Sequence, residues 1–200
     1  MSEAPLRILA IVGSQNRTST TRVVLSNLAQ RLREADCQVD VFDYLHESLV
    51  LFNPETSYDA PAFADLQKRV ELADVFILGT PDYHGSMSSA IKSFLDHFWQ
   101  EFAGKLFATA VSSHEKGLTV ADQLRTVARQ CYAWSMPYGV SFAEGDDVRD
   151  GQIVSDTLKK RLEMFARDIR VYGQVIARQR RADLNGADPG FMARHRSAAR

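Results

Sequence analysis

Short, nearly continuous apolar runs alternate along the chain with longer segments in which apolar residues recur every three or four positions. The first run ends at Gly13 and is typical of a strand that is buried on both faces of a sheet. Four further runs of this kind follow, the last one weakened by Pro137 and Gly139. The five predicted strands are Leu6–Val12, Val39–Tyr44, Val75–Gly79, Leu106–Val111 and Met136–Phe142.

The segments between these strands carry the period of amphipathic helices. Such alternation implies a parallel sheet with helices on both faces, in three α/β/α layers. The right-handed crossover rule leaves few topologies. We adopt one of them, the doubly wound five-stranded order 2-1-3-4-5, which places a ligand crevice at the carboxyl ends of strands one and three. The predicted helices are Thr20–Ala35, Ala62–Ala73, Ser88–Trp99, Leu118–Tyr132 and one that begins near Ser155.

The composition narrows the class of protein. The 200 residues suit one domain, and the formal net charge of −1 favours neither nucleic acid nor a membrane surface as a partner. No apolar stretch approaches the length of a membrane span, and the N-terminal run predicts a strand and not a signal peptide. Cys37 and Cys131 are far apart and form no CxxC motif, so we expect a cytoplasmic protein without a metal site.

The C-terminal end differs from the rest of the chain. From Ala182 onward it contains Asn185-Gly186 and Asp188-Pro189-Gly190, which are turn signals. We therefore expect one domain over residues 1–181 and a loosely ordered tail over residues 182–200.

The loop after the first strand, residues 13–21, concentrates hydroxyl groups at a helix N-terminus. Four consecutive hydroxyl side chains, residues 18–21, lie where free backbone N–H groups and the helix dipole favour an anion. The alternative is an ordinary helix cap, which needs one such residue. The absence of GK[ST] and GxGxxG excludes a P-loop and a dinucleotide fingerprint, and these donors predict a phosphate monoester as the ligand. Its predicted ligands are Ser14, Arg17, Ser19, Thr20 and Thr21.

The loop after the third strand offers groups suited to a flat ligand. A proline directs the chain away from the sheet, and a glycine allows close approach of the backbone. Backbone N–H groups of such a loop can bond the polar edge of a flavin ring, beside a tyrosine and a histidine. The alternative is a plain turn with a lone surface histidine. The candidate contacts are Pro81, Asp82, Tyr83, His84 and Gly85.

Together these two loops resemble the NADPH-dependent FMN reductase family, which includes flavin, quinone, azo-dye and chromate reductases. The family pattern GSxRxxS is similar to residues 13–19, with Ser19 in register, Asn16 at the place of the arginine and Arg17 beside it. The more specific pattern PEYNGSxxxxLKxxxD is similar to residues 81–96, including Lys92 and Asp96. The resemblance covers residues 5–175. It implies a flavodoxin-like fold, bound FMN and Asn16 among the phosphate ligands.

The loop after the fourth strand departs from the family pattern. The family often has a Gly-Gly turn there, near the flavin, whereas this chain has residues 112–117 in the order Ser-Ser-His-Glu-Lys-Gly. The candidate flavin contacts in this loop are Ser112, Ser113 and His114.

Helix 88–99 is apolar on more than one stripe, and Lys92 and Asp96 on it are spaced to pair. Core packing explains part of the apolar surface, and a subunit interface would explain the rest. The family resemblance implies association through this region. We therefore expect a homodimer or homotetramer built on helix 88–99.

These features predict an enzyme that passes hydride from NADPH or NADH through FMN to a small acceptor such as a flavin or quinone. The cofactor carries the chemistry, so no catalytic side chain is required. No second nucleotide fold is present, and the reducing nucleotide is expected to use the open flavin face, with Arg17 and Lys116 near its phosphates. The alternatives are a flavodoxin-type electron carrier without turnover of its own and a non-redox module that binds a phosphorylated ligand.

Overall fold

A parallel sheet forms the middle layer of the structure, a computed structural model that describes residues 4–197. The order is β2-β1-β3-β5, and β6 and β7 both pair in parallel with β5 on its outer side. This confirms the predicted order 2-1-3-4-5, with the fifth position shared by two short strands. The strands are β1 (Arg7–Val12), β2 (Gln38–Asp43), β3 (Val75–Tyr83), β4 (Ser86–Met87), β5 (Leu106–Ser112), β6 (Trp134–Ser135) and β7 (Val140–Phe142).

The interruption of the fifth position has a local cause. The predicted strand Met136–Phe142 is regular only over its last three residues, because Pro137 cannot donate to the ladder. Gly139 lies so close to β5 that a Cβ there would come within 2.7 Å of the Thr109 carbonyl oxygen. The sheet is thus continuous up to β5 and discontinuous beyond it.

Helices cover both faces of the sheet. Helices α1 and α5 pack on one face and α2, α3 and α4 on the other, in a three-layer α/β/α arrangement. No helix within residues 4–197 is long and apolar enough to cross a membrane. The helices are α1 (Thr20–Glu34), α2 (Pro61–Leu72), α3 (Ser89–Asp96), α4 (Leu118–Gln130), α5 (Asp156–Asn185) and α6 (Phe191–Ser197), and a small antiparallel hairpin of β8 (Val148–Arg149) and β9 (Gln152–Ile153) precedes α5.

Alternate residues of the central strands enter the two cores. In β1, Ile8 and Ala10 face the α1 and α5 layer, whereas Leu9 and Ile11 face the opposite layer. This is the period of two that a strand imposes on its side chains, with both sets apolar. The continuous apolar run that predicted a doubly buried strand is explained by this arrangement.

The C-terminal residues differ from the expected loose tail. Helix α5 runs through the proposed boundary at residue 181 and ends at Asn185, and α6 follows it. Arg180 donates a hydrogen bond of 3.1 Å to the Ala103 carbonyl, so the end of α5 is tied to the domain. Residues 198–200 of the predicted tail lie outside the described residues.

The apolar residues of the segment predicted as helix 88–99 are committed to the core. Ile91, Phe94, Leu95 and Phe98 are at most 3% exposed, whereas Trp99 is 52% exposed. The excess apolar surface that motivated a subunit interface on this helix is therefore mostly internal, and Trp99 alone of these five residues remains available. The predicted pair on the same segment is present, with Lys92 Nζ 2.6 Å from an Asp96 oxygen.

A buried lysine joins the end of α2 to the start of β5. Lys105 is fully buried, and its Nζ donates to the carbonyl oxygens of Val70 and Glu71 at 2.7 and 2.9 Å. These carbonyls lie in the last turn of α2, where helical partners are lacking. The ammonium group therefore supplies hydrogen bonds to carbonyl oxygens at the end of α2 that lie inside the protein, away from water.

We expect Lys105→Met to lower the free energy of unfolding by about 2 kcal/mol or more, because it leaves buried carbonyl oxygens without donors. Urea denaturation measures this change. The matched control is Lys92→Met, which removes an exposed helical pair and should cost only about 0.3–0.5 kcal/mol. Equal effects of the two substitutions would contradict this account of Lys105.

Candidate functional site

Three loops leave the sheet at the same edge. In the strand register, Val12 is opposite Gly79, and Pro81 is opposite Ser112. The loops that follow β1, β3 and β5 therefore start side by side, as expected at the carboxyl ends of parallel strands. We call them the first loop (residues 13–19), the second loop (residues 80–88) and the third loop (residues 112–117). The structure thus brings together all the segments that the sequence singled out as candidate sites.

The first loop is folded by its own polar side chains. The Asn16 side-chain oxygen accepts from both the backbone N–H and the hydroxyl of Thr18, at 3.1 and 3.2 Å. The Asn16 carbonyl accepts from the Ser19 N–H, and the Ser19 hydroxyl accepts from the Arg22 N–H at the helix start. Ser19 is therefore the cap of α1, and Asn16 shapes the turn that precedes it.

This folding leaves backbone donors unused. Within residues 4–197, the N–H groups of Gln15 and Arg17 donate no hydrogen bond, and the first N–H groups of a helix, here Thr20 and Thr21, have no helical partner. The Arg17 side chain is exposed and makes no ion pair among the described residues. Several unused N–H groups, the Thr20 hydroxyl and the Arg17 guanidinium thus lie within one short segment at a helix N-terminus, which fits a phosphate dianion.

Not every predicted phosphate ligand is equally available. The side chains of Ser14, Ser19 and Thr21 are only 5%, 6% and 1% exposed. Thr21 packs under the sheet, since a Cβ on Gly79 would come within 2.9 Å of the Thr21 methyl group. Thr21 is therefore the least accessible of the predicted ligands.

Arg22 is the organising residue that sequence reasoning missed. Its guanidinium donates to both carboxylate oxygens of Asp43 at 2.6 and 3.0 Å, and to the carbonyl oxygens of Ser14 and Asn16 at 2.9 and 2.6 Å. Loop carbonyls that bond Arg22 are turned away from the site, which leaves the N–H groups facing it. The sequence did carry a signal for this pair. Asp43 ends the strand next to the first loop, and Arg22 lies in the first turn of the helix that follows that loop.

The Arg22–Asp43 pair persists over a wide pH range. Burial of Asp43 acts to raise its pKa, but hydrogen bonds from Arg22 and the Leu45 N–H outweigh it and lower the pKa below the ordinary value of 3.8. A carboxyl group with a depressed pKa contributes stability above its unfolded value and loses it as the pH falls through the folded value. The pair is therefore intact at neutral and mildly acidic pH.

The second loop is a tight hairpin. The third strand extends beyond the predicted end at Gly79 to Tyr83 and pairs with β4 through Tyr83 and Ser86. The two residues between them, His84 and Gly85, have φ angles of 57° and 77°, as a type I′ turn requires. The predicted turn before a helix is thus a β-hairpin that leads into α3, with Tyr83 and His84 exposed.

Asp82 connects the second and third loops. One of its oxygens accepts from the Gly85 N–H at 2.8 Å and the other from the Ser113 hydroxyl at 2.9 Å. The Gly85 N–H is therefore occupied, and the backbone donors that remain for a ring edge are fewer than the sequence suggested. Asp82 and Ser113 hold the shape of the site, whereas His114 and Tyr83 are exposed beside it.

Two further hydrogen bonds join the first loop to its neighbours. The hydroxyls of Thr20 and Ser112 lie 2.8 Å apart, which links the start of α1, directly after the first loop, to the third loop. Ser88 donates from its hydroxyl to the Gly13 carbonyl at 2.7 Å and caps α3, which links the first and second loops. The three loops consequently form one connected unit.

Gln123 on α4 is a second residue that the sequence did not single out. Its amide oxygen accepts from the Met87 N–H at 3.3 Å and from the Ser86 hydroxyl at 3.1 Å, and its amide nitrogen donates to the Gly85 carbonyl at 3.2 Å. The hairpin is thereby fixed against α4. A lone glutamine on a helix carries no sequence signal for such a role.

The residues present fit a phosphorylated, flat cofactor. The candidate phosphate site lies at the first loop. The exposed hairpin and the third loop lie beside it, at the ends of the neighbouring strands. Pro81 and the Ser112 backbone lie side by side at the base of this space. A flavin mononucleotide combines these two requirements, an anion at one end and a planar polar-edged ring at the other.

Comparison with known proteins supports the same conclusion. The sequence profile of the family described as NADPH-dependent FMN reductase matches residues 6–147. An NADPH azoreductase of Bacillus sp. (strain OY1-2) is 29% identical over 174 residues, covering 85% of this chain and 94% of that protein. An FMN-dependent NADPH-azoreductase of Staphylococcus haemolyticus is 26% identical, covering 80% and 92%.

Solved structures share the fold. FerB, a flavoenzyme NAD(P)H:(acceptor) oxidoreductase of Paracoccus denitrificans, superposes with a TM-score of 0.67 at 19% identity, covering 87% of this chain and 98% of that one. A flavodoxin of Streptococcus pneumoniae superposes less closely, with a TM-score of 0.55 at 18% identity and coverage of 83% and 97%. The flavodoxin-like fold class is thereby confirmed.

The family match spans most of the chain and contains all three loops. It supports an NAD(P)H-dependent, FMN-using oxidoreductase and not the alternative of a flavodoxin-type carrier without turnover. The chain belongs to the NADPH-dependent FMN reductase family.

Proposed function

We propose that the three loops hold FMN, with its phosphate in the first loop and its ring between the second and third loops. The observation that carries this proposal is the set of unused N–H groups beside Arg17, held in place by Arg22. Residues that contact the cofactor directly or through one neighbour are Ser14, Asn16, Arg17, Ser19, Thr20, Thr21, Pro81, Asp82, Tyr83, His84, Gly85, Ser112, Ser113 and His114.

Bound FMN supplies the hydride and electron chemistry, and the protein supplies binding and orientation. In this proposal Arg17 and the loop N–H groups neutralise the phosphate. The hairpin side chains Tyr83 and His84 border one edge of the ring, and His114 borders the other. None of these residues has to act as a nucleophile.

The acceptor is proposed to be a small planar molecule. The two relatives named above are azoreductases that use NADPH, one of them described as FMN-dependent. An azo compound, a quinone or a free flavin can each lie flat on the face of the ring that the loops leave open. NADPH or NADH is expected to use the same face in turn, with Arg17 and Lys116 as candidate contacts for nucleotide phosphates.

Arg22→Ala should weaken FMN binding at least about tenfold, because several hydrogen bonds to a charged group that orient the loop are lost. Riboflavin has no phosphate, so its affinity should change by no more than about twofold. Arg22→Lys should rescue little, since an ammonium group cannot reproduce the forked contacts with Asp43 and two carbonyls. Flavin-fluorescence titration of the apoprotein gives each dissociation constant.

The matched control for this titration is Arg125→Ala on α4, whose guanidinium bonds Asp122 and the Pro137 carbonyl outside the loops. Its flavin affinities should equal those of the wild type. Parallel losses of FMN and riboflavin affinity in Arg22→Ala would contradict a specific role for Arg22 at the phosphate.

The FMN-loaded protein should be reduced by NADPH in the absence of any acceptor, which the loss of flavin absorbance reports. Because nucleotide and acceptor share one open face, steady-state rates with NADPH and a quinone should give parallel double-reciprocal lines. Intersecting lines with FMN retained through turnover would show that both substrates bind at once. The absence of flavin reduction by either NADPH or NADH would overturn the proposed activity.

We also propose that the protein is a cytoplasmic homo-oligomer. The two free, buried cysteines support a reducing compartment. Support for association comes from an aromatic cluster beside the end of α3, in which Trp99 and Tyr132 both contact the His195 ring at centroid distances of 4.8 and 4.7 Å. Trp99 is 52% and Phe191 63% exposed, which is unusual for grouped large aromatic residues.

Trp99→Glu should convert the assembly to monomers at micromolar concentration, because a carboxylate would lose its hydration in an aromatic interface. Light scattering coupled to size exclusion measures the mass. Leu72→Glu on α2, a substitution of another exposed apolar residue, should leave the mass unchanged. A monomeric wild-type protein, or a mass unaffected by Trp99→Glu, would contradict this interface.

A further inference from the structure

A long groove opens from the first loop and runs along α1. It has a volume of about 1300 Å³, with α1 as one wall and the β8–β9 hairpin as the other. Its near end is formed by Arg17–Thr20, the residues proposed to hold the FMN phosphate, and its far end by Arg31. FMN itself extends from the first loop toward the second and third loops. The groove is therefore additional space that starts at the phosphate and leads the other way.

The groove attracts anions. Five cationic side chains line it against two carboxylates, Glu144 and Asp150. Arg22 and Lys159 are paired with aspartates, but the side chain of Arg17 makes no hydrogen bond or ion pair among the described residues. The cations that line it are Arg17, Arg22, Arg31, Arg149 and Lys159.

The middle of the groove suits an adenine ring. Val23 on α1 and Ile153 on β9 are partly buried, pack against the core and line the groove, so they offer an apolar surface on which a flat ring can lie. Asn27 and Gln152 line the same groove and supply side-chain amides, and such amides pair well with the N6 and N7 edge of adenine. Asn27 is held in place by Arg31, which donates to its amide oxygen at 2.8 Å.

The length of the groove matches a nucleotide. Eleven residues separate Thr20 from Arg31, and a helix rises about 1.5 Å per residue, so the wall is about 16 Å long. This is enough for a nucleoside monophosphate laid along α1. A ligand anchored at the first loop would place its adenosine beside Val23 and Ile153 and a further phosphate near Arg31 or Arg149.

We infer that the groove between α1 and the β8–β9 hairpin is a subsite for an adenosine phosphate. This inference rests on the proposed FMN site, whose phosphate end it adjoins. Two ligands carry the required chemistry. One is FAD, whose adenylate half continues from the flavin phosphate, and the other is NADPH, whose adenosine bears a 2′-phosphate.

The test uses two substitutions that keep side-chain shape and add a negative charge to the groove, Asn27→Asp and Gln152→Glu. The matched control is Gln67→Glu on α2, on the opposite face of the sheet. Dissociation constants of the full-length apoprotein are measured by fluorescence for riboflavin, FMN and FAD, and by calorimetry for 5′-AMP and 2′,5′-ADP. Binding of NADP⁺ to the FMN-loaded protein is measured in the same way.

If FAD is the source, the wild type should bind FAD at least as tightly as FMN, and each groove variant should lose about tenfold in FAD affinity with FMN unchanged. If NADPH is the source, FAD should bind more weakly than FMN, and the variants should instead lose about tenfold for NADP⁺ and 2′,5′-ADP. Gln67→Glu should alter none of these values. Thermal denaturation confirms that the variants are folded.

The inference is overturned if the groove variants weaken the binding of neither FAD nor any adenosine phosphate. It is also overturned if the variants change only the mass of the assembly, which would make the groove a contact between copies of the chain. The proposed function fails separately. If no flavin binds to the wild type while 2′,5′-ADP binds and is weakened by the variants, the adenosine subsite stands and the FMN site does not.

Discussion

The contacts of one partly buried guanidinium determine the arrangement of the candidate site. Arg22 binds the Asp43 carboxylate and the carbonyl oxygens of the first loop at the same time. A loop rich in hydroxyl groups can satisfy its own N–H groups in many ways. With its carbonyls bound to Arg22, the first loop is left with N–H groups that have no acceptor in the described chain, and such groups are stabilised by an anion. The second and third loops are then positioned relative to the first by Ser88, Thr20 and Asp82.

This arrangement explains how a single sheet edge can serve an FMN-using oxidoreductase without a catalytic side chain. In the proposed arrangement the protein provides a phosphate anchor, a hairpin bonded to α4 and an open face, and bound FMN supplies the chemistry. The hairpin has the positive φ angles of a type I′ turn at His84 and Gly85, and Gln123 bonds its backbone to α4. The face of the proposed flavin site that the loops leave open would admit a range of flat acceptors. The relatives described as azoreductases are named for acceptors of this kind.

Much of the fold could be predicted because the signals were local. Continuous apolar runs identified the strands, and the helical period identified α1 to α4 with ends correct to within a few residues and the start of α5 near Ser155. The site could be predicted as segments, because parallel strands bring their carboxyl ends together. The hydrogen bonds within the site could not be predicted, since Arg22–Asp43 and Gln123–Gly85 join residues that are distant in sequence. The partners of the apolar residues in segment 88–99 are also distant in sequence. Their number suggested a subunit interface, whereas Phe94 and Phe98 are packed in the core.

The central claim is that the first loop receives the FMN phosphate while the other two receive the ring. The most direct measurement is a titration of the isotope-labelled apoprotein with FMN and with riboflavin, followed through backbone amide chemical shifts. The account predicts that both ligands shift the amides of residues 82–86 and 112–114, and that FMN alone shifts those of Gln15, Arg17, Thr20 and Thr21. Identical shifts with the two flavins, or no shift within residues 14–21 on adding FMN, would contradict it.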